Sequence, residues 1–242
     1  MWIVINRKLL LYIVIILLIL TFQLKDRYLS SSVAVNLDFP LNKKVIMIDP
    51  GHGGIDGGTN KQKVLEKNIN LAIALKLKKV LDHRNVTVKL TRKEDQALDH
   101  LNNHSSSRHL RDLWARVEMI NQEKIDLFIS LHVNAGVSYL RGPKIFYKAD
   151  NKRLAYLLQN KLNNLEYKDI KHPTNTPLAA DYFVLNHAKP PGVIVEVGYI
   201  TNPVDYRLLQ QDDYQWVMAR TLAAGIEEYF SSFSFYLEKI RD

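Results

Sequence analysis

Val45-Ile46-Met47-Ile48-Asp49-Pro50-Gly51-His52-Gly53-Gly54 is an apolar run that stops abruptly in a glycine-rich turn. Four consecutive apolar residues followed by Asp-Pro-Gly predict a buried strand and then a sharp change of direction. A histidine stands at the tip of that turn. Open parallel sheets place their ligands just beyond the carboxyl ends of the strands, so His52 is a candidate functional residue. The glycines are expected to let the backbone bend so that the imidazole faces a cleft. The competing reading is a turn histidine with no ligand.

Strands and helices alternate from Lys44 onward. Glu66 to His83 reads as a helix with Ile69, Ile73, Leu77 and Val80 on one face. Val86 to Thr91 alternates as a strand. Leu113, Val117 and Ile120 mark another helix. Ile125 to Leu131 is apolar enough for a central strand, and Lys144 to Tyr147 for another. Lys152 to Leu165 is helical, with Leu154, Leu157, Leu158 and Leu162 inward. Val193 to Val197 is a buried strand, and Tyr214 to Phe230 a closing helix. This order predicts an α/β fold, a mostly parallel twisted sheet with helices on both faces in one catalytic domain. Two polar stretches interrupt it. Asp95 to Arg108 has the length of a lid, and Lys168 to Asp181, with Pro173 and Pro177, is expected to line a groove.

The N-terminus is a separate unit. Leu9 to Leu20 is unbroken apolar sequence preceded by Arg7 and Lys8. Extended to Leu24, it spans roughly 24 Å as a helix, short of the ~30 Å hydrocarbon core, a gap that flanking basic residues close by snorkelling. The expected organisation is a signal-anchor or transmembrane helix over 1–28, a linker over 29–43, the catalytic domain over 44–236 and a tail over 237–242. The catalytic domain is expected on the extracytoplasmic side of the cell membrane. Ser32-Val33-Ala34 keeps open the alternative of secretion after signal cleavage.

The bulk numbers exclude several classes. Of the 242 residues, 47% are hydrophobic and 24% charged, so the chain can build a core and disorder is not expected. There are no cysteines, which removes disulfides, thiolate metal sites and cysteine nucleophiles. The net charge of +8 fits either attraction to an anionic surface or a scattered lysine surface. No basic stripe with interleaved aromatics stands out, so nucleic acid is not expected as a partner.

Three residues join His52. His132 ends the apolar run Phe128 to Leu131. Glu66 opens a helix. Glu196 sits inside Val193 to Val197, where a carboxylate is expensive unless paired or functional. A buried salt bridge is its duller explanation. Two imidazoles and one carboxylate suffice for a catalytic zinc with one open position, and a spare carboxylate supplies a base. The turn fails as a nucleotide loop. Asp56 stands where the third glycine of a dinucleotide fingerprint belongs, and Thr59 where a phosphate loop has lysine. No Gly-x-Ser-x-Gly elbow or His-Glu-x-x-His helix is present. His100 and His104 lie four apart in a stretch that reads as loop, which argues against metal binding there. His172 and His187 stand alone, although His187 is within reach of the cleft rim.

Ile48 to Gly54, Leu65-Glu66-Lys67, Leu90-Thr91-Arg92, Ser130 to Ala135 and Val195 to Pro203 together resemble the zinc-dependent N-acetylmuramoyl-L-alanine amidases of bacterial cell walls. The five motifs occur in the family's order. The resemblance implies a Zn2+ cofactor held by His52, Glu66 and His132, with Glu196 as the catalytic glutamate. It implies peptidoglycan as substrate, cut at the amide between the lactyl group of N-acetylmuramic acid and L-alanine. Arg111 to Val117 and Lys189 to Val193 resemble sporulation-type members most. That implies action on spore cortex ahead of muramic-lactam formation, and an activating partner protein. Two alternatives stay open. One is a zinc metallopeptidase or carboxypeptidase-like hydrolase, because the same donor set cuts peptides. The other is a non-catalytic wall-binding protein.

Overall fold

The computed structural model describes Thr21 and residues 41–241 except Asn85 and Glu123, with side chains as far as Ser231. The expected N-terminal anchor (1–28) and most of the linker (29–43) lie outside the described residues. Among the described residues no helix is long and apolar enough to cross a membrane.

Six strands form one sheet: β1 (Val45–Pro50), β2 (Thr87–Leu90), β3 (Leu127–Asn134), β4 (Lys144–Tyr147), β5 (Leu178–Ala179) and β6 (Gly192–Tyr199). Their spatial order is β2-β1-β3-β6-β4-β5. The pairs β2–β1, β1–β3 and β3–β6 are parallel, and β4 runs antiparallel to β6. The sheet is therefore mostly parallel, as the alternation of strands and helices predicts. The principal helices are α1 (Glu66–Asp82), α2 (Arg108–Ile120), α3 (Lys152–Asn163), α4 (Phe183–His187), α5 (Pro203–Leu209) and α6 (Asp212–Arg241).

Side chains alternate across the sheet with a period of two, and that parity divides the core. Ile46, Ile48, Ile129, Leu131, Val193 and Val195 pack under α1, α3 and α6. Met47, Phe128, Phe146 and Ile194 face the other way, against Val117 and Ile120 of α2 and Val184 and Leu185 of α4. Helices thus cover both faces.

Several boundaries differ from the sequence reading. Strand β3 runs on to Asn134, so His132 lies within the strand rather than at its end. Helix α6 extends well beyond Phe230. On α1 Leu81 is buried and Val80 only partly so, because the 3.6-residue period places Leu81 four residues after Leu77. Helix α5 was not anticipated. Asn202 caps it by accepting from the Val204 and Asp205 amides, and Pro203 occupies its first turn. The Asp95 to Arg108 stretch, of lid length, is tied to α2. Leu98 is 1% exposed, its amide donates to Asp112 at 2.8 Å, and Arg111 donates to the Ser105 and Ser106 carbonyls.

Gly192 opens β6 where a side chain has no room. A Cβ there would lie 2.1 Å from the Phe128 ring. Gly192→Ala is expected to destabilise the fold by about 1–3 kcal/mol through overpacking. Urea unfolding measures it, and an unchanged midpoint would mean that Phe128 swings aside freely.

Candidate active site

The sheet face under α2 and α4 changes character along its length. Towards the carboxyl ends of the strands, Met47 gives way to Asp49, Phe128 to Ser130 and His132, and Ile194 to Glu196. The parallel register aligns them: Asp49 is level with Ser130, and Glu196 with His132.

A buried polar network supports this end. The Asp49 carboxylate accepts from Arg116 Nη1 at 2.6 Å, Thr91 Oγ1 at 2.7 Å and Ser130 Oγ at 2.7 Å. Burial would raise its pKa, but Arg116 and the two hydroxyls hold it below the usual carboxylate range. Arg116 also donates to the carbonyls of Pro50 and His52 at 3.0 and 2.8 Å. Arg92 donates to the carbonyls of Pro50, Gly51 and Lys67. Burial and the neighbouring Arg116 pull Arg92 down to about 10, so it stays charged at neutral pH.

Two arginines therefore hold the carbonyls of the turn, and His52 itself adopts the left-handed conformation, φ 61°. The sequence reading gave that role to the glycines alone. Gly51 is needed for a different reason. A Cβ at that position would stand 2.2 Å from the His132 ring.

Glu66, His52 and His132 converge. One ligand atom from each lies within 4.8 Å of the others. Glu66 Oε1 is 3.2 Å from His52 Nε2 and 2.9 Å from His132 Nδ1. The Thr59 amide donates to Glu66 Oε2 at 2.7 Å and the Val133 amide to Oε1 at 3.0 Å. Burial would raise the Glu66 pKa. Hydrogen bonds to His132 and His52 outweigh it and leave the carboxyl well below its ordinary value. His52 Nδ1 is 2.9 Å from Asp56 Oδ2. Burial would lower the His52 pKa, but Glu66 and Asp56 raise it to about 9.

This donor set fits a divalent cation such as zinc. It offers two imidazole nitrogens and one ionised carboxylate oxygen at one point, with a second carboxylate behind an imidazole to fix its tautomer. Asp56 was passed over as a participant in the sequence reading. Its position four residues after His52, inside a glycine-rich turn, was the available signal.

Glu196 lines the same cavity, about 360 Å³, together with His52, His132, Leu113, Tyr182 and Phe183. It is 9% exposed, and its Oε2 is buried with no hydrogen-bond partner. The salt bridge weighed as its duller explanation is absent among the described ion pairs. Burial, the largest effect, raises its pKa to about 7. His100, His104, His172 and His187 are not part of the cluster. His172 is buried with its Nε2 3.0 Å from the Tyr214 hydroxyl, and His104 pairs with Glu118.

A His-Glu-His cluster beside a buried carboxylate, at the carboxyl end of a mostly parallel sheet, can be set beside known proteins. Residues 46–228 match the N-acetylmuramoyl-L-alanine amidase family model, Amidase_3. The germination-specific N-acetylmuramoyl-L-alanine amidase of Bacillus subtilis (strain 168) is 34% identical over 220 residues, covering 88% of this chain and 91% of that one. The CwlD amidase of Clostridioides difficile, solved in complex with the GerS lipoprotein, superposes with a TM-score of 0.70 at 32% identity. That match covers 78% of this chain and all of that one. The catalytic domain of CwlV from Bacillus (Paenibacillus) polymyxa var. colistinus gives a TM-score of 0.64 at 28% identity over 78% of this chain and 98% of that one. The chain belongs to the N-acetylmuramoyl-L-alanine amidase family and is an enzyme of that class.

Asp49→Ala would remove one of the two carboxylates that balance the buried Arg116 charge, leaving Asp112 alone, and would take the acceptor from the Thr91 and Ser130 hydroxyls. The expected cost is about 1–3 kcal/mol, the range for leaving buried polar groups unsatisfied, read from denaturant unfolding. A loss below about 1 kcal/mol, the range of an exposed pair, would mean that water reaches the guanidinium.

Proposed function

We propose that the chain is a membrane-anchored zinc amidase that hydrolyses the bond between the lactyl group of N-acetylmuramic acid and L-alanine, acting on spore cortex before muramic-lactam formation. The observation that carries this reading is the convergence of three ligand atoms, two of them from histidines that line a pocket, beside a buried glutamate whose Oε2 has no hydrogen-bond partner. The germination-specific relative supports the cortex assignment. The apolar Leu9 to Leu20 run and an extracytoplasmic substrate support the anchor.

His52, Glu66 and His132 would hold the zinc, through Nε2, Oε1 and Nδ1 in turn. When bound, the metal supplies Lewis acidity that polarises the scissile carbonyl and acidifies water. The chain's residues do the rest. Asp56 accepts the His52 Nδ1 proton and so keeps the Nε2 lone pair turned inward. Glu66 remains ionised, as a ligand must. Glu196 takes the proton of the attacking water and delivers it to the departing L-alanine amine. Its desolvated carboxyl suits a shuttle, because its pKa lies near the working pH. The Clostridioides difficile relative was solved with a lipoprotein. By analogy, an activating partner protein acts on this chain as well.

Digestion of purified cortex and of vegetative wall tests the reading, scored by newly exposed L-alanine amino termini. Release of other amino acids instead would indicate a peptidase, and no release would leave a wall-binding protein. Glu196→Gln is expected to retain zinc by metal analysis while losing about 10²–10⁴-fold in kcat. The acid limb of the wild-type profile should lie at or below pH 7. Only ionised Glu196 can accept a proton, and a nearby cation favours that form.

Zinc uptake should itself depend on pH. His52 is protonated below about 9 in the metal-free site and must be neutral to bind. Affinity is therefore expected to rise about tenfold per pH unit from neutrality towards that value, with proton release. Calorimetry in buffers of different ionisation enthalpy measures the protons, and a pH-independent affinity would contradict the assignment of His52.

A further inference from the structure

Beside the catalytic cavity, a second hollow of about 550 Å³ lies along α2. Trp114, Glu118 and Asn121 share the helix face that lines it, at spacings of four and three, and His104 closes it from the preceding loop. Three rings brace Trp114 edge-on: His104 at 5.7 Å, Phe183 at 5.0 Å and His187 at 4.9 Å between centroids. Trp114 is only partly buried, so the braced indole presents surface to the hollow. Glu118 Oε1 meets His104 Nε2 at 2.5 Å. Its other oxygen is left to accept from a ligand. Asn121 is engaged with main chain, donating to the His187 carbonyl and accepting from the Lys189 amide, which fixes the end of α4 against α2.

Phe183 belongs to both places. It packs on Trp114 and also lines the cavity of His52, His132 and Glu196. The ring contact of Phe183 on Trp114 therefore stands between the catalytic cavity and the hollow. A family substrate joins a peptide to one sugar of a glycan polymer, so chain must leave the cavity in two directions. A rigid aromatic surface beside one carboxylate acceptor suits a pyranose, whose axial C–H bonds stack on a ring while a hydroxyl or acetamido group donates. A stem peptide with free carboxylates would meet the Glu118 charge unfavourably.

We propose that this hollow is a glycan subsite that seats an N-acetylhexosamine neighbouring the muramoyl residue under attack. The proposal rests on the amidase reading and names where that substrate's sugar chain runs. His104 and His187, which the catalytic cluster leaves out, become parts of it through their contacts with Trp114.

Chitotetraose tests it on the full-length chain, because it has no lactyl amide and cannot be cleaved. Trp114→Leu is expected to weaken its binding about tenfold, the scale of one aromatic stacking contact, whereas Trp114→Phe retains most of it. Glu118→Ala, at an exposed position, should also weaken it and covers the case in which Trp114→Leu does not fold. On wall fragments, wild-type protein should show a lower KM for glycan strands than for a single muramoyl peptide. Trp114→Leu should erase that difference through KM rather than kcat. Equal chitotetraose affinity in folded Trp114→Leu and Glu118→Ala overturns the subsite. So does a wild-type chain that neither binds chitotetraose nor distinguishes strand from single sugar. Absence of L-alanine release by wild type would instead defeat the amidase reading, while the chitotetraose titration would still report on the subsite.

Discussion

The buried pair of Asp49 and Arg116 is the interaction on which the site depends. Two charges taken out of water gain nothing in stability unless their remaining polar atoms are also satisfied. Here they are. Thr91 and Ser130 complete the carboxylate, while Asp112 and two carbonyls complete the guanidinium. The carbonyls are the functional part. They belong to Pro50 and His52, so the ion pair links the sheet to the turn that carries the histidine. Without such donors the turn would have to satisfy its carbonyls with water or with its own amides, and a non-glycine residue at φ 61° would have little to hold it there.

Two glutamates in the same pocket then diverge. Both are buried, and burial pushes both towards the neutral form. Glu66 meets two imidazoles and two backbone amides, which favour the charge. Glu196 has an oxygen with no partner and feels Glu66 nearby, so it remains protonated to about pH 7. One environment makes a permanent anion suited to a cation, and the other makes a carboxyl that exchanges its proton. Identical side chains acquire different tasks because their surroundings separate their pKa values.

Much of this was legible in the sequence because apolar periodicity is a local property. The Val45 to Ile48 run, the helix from Glu66 and the apolar run around Glu196 each announce themselves within a few residues. The four principal side chains could be named for the same reason, since polar groups at such places need an explanation. Asp49 satisfied the same criterion and was not singled out. Asp56 carried only its place in the glycine-rich turn four residues after His52, and the partners Arg92 and Arg116 carried no local mark. A carboxylate behind an imidazole, or a guanidinium under a turn, is defined by neighbours 40 to 67 residues away or by a loop conformation. The Asp95 to Arg108 stretch reads only as a long polar loop, and its ties to α2 through Leu98 and Arg111 are contacts that composition does not reveal.

The sequence by itself determined the alternation of strands and helices and the chemistry available to the site. It also determined that four polar residues had to be accounted for at strand ends, in a buried strand and at a helix start. These follow from side-chain patterning and from the free energy of desolvation, which act residue by residue. Only the tertiary structure decided that Glu196 and His132 stand level on adjacent strands, that Asp56 faces His52, and that Trp114 packs on Phe183. Strand register, the burial of an ion pair and the meeting of α2 with α4 are set by packing between distant segments, and no local property of the chain specifies them.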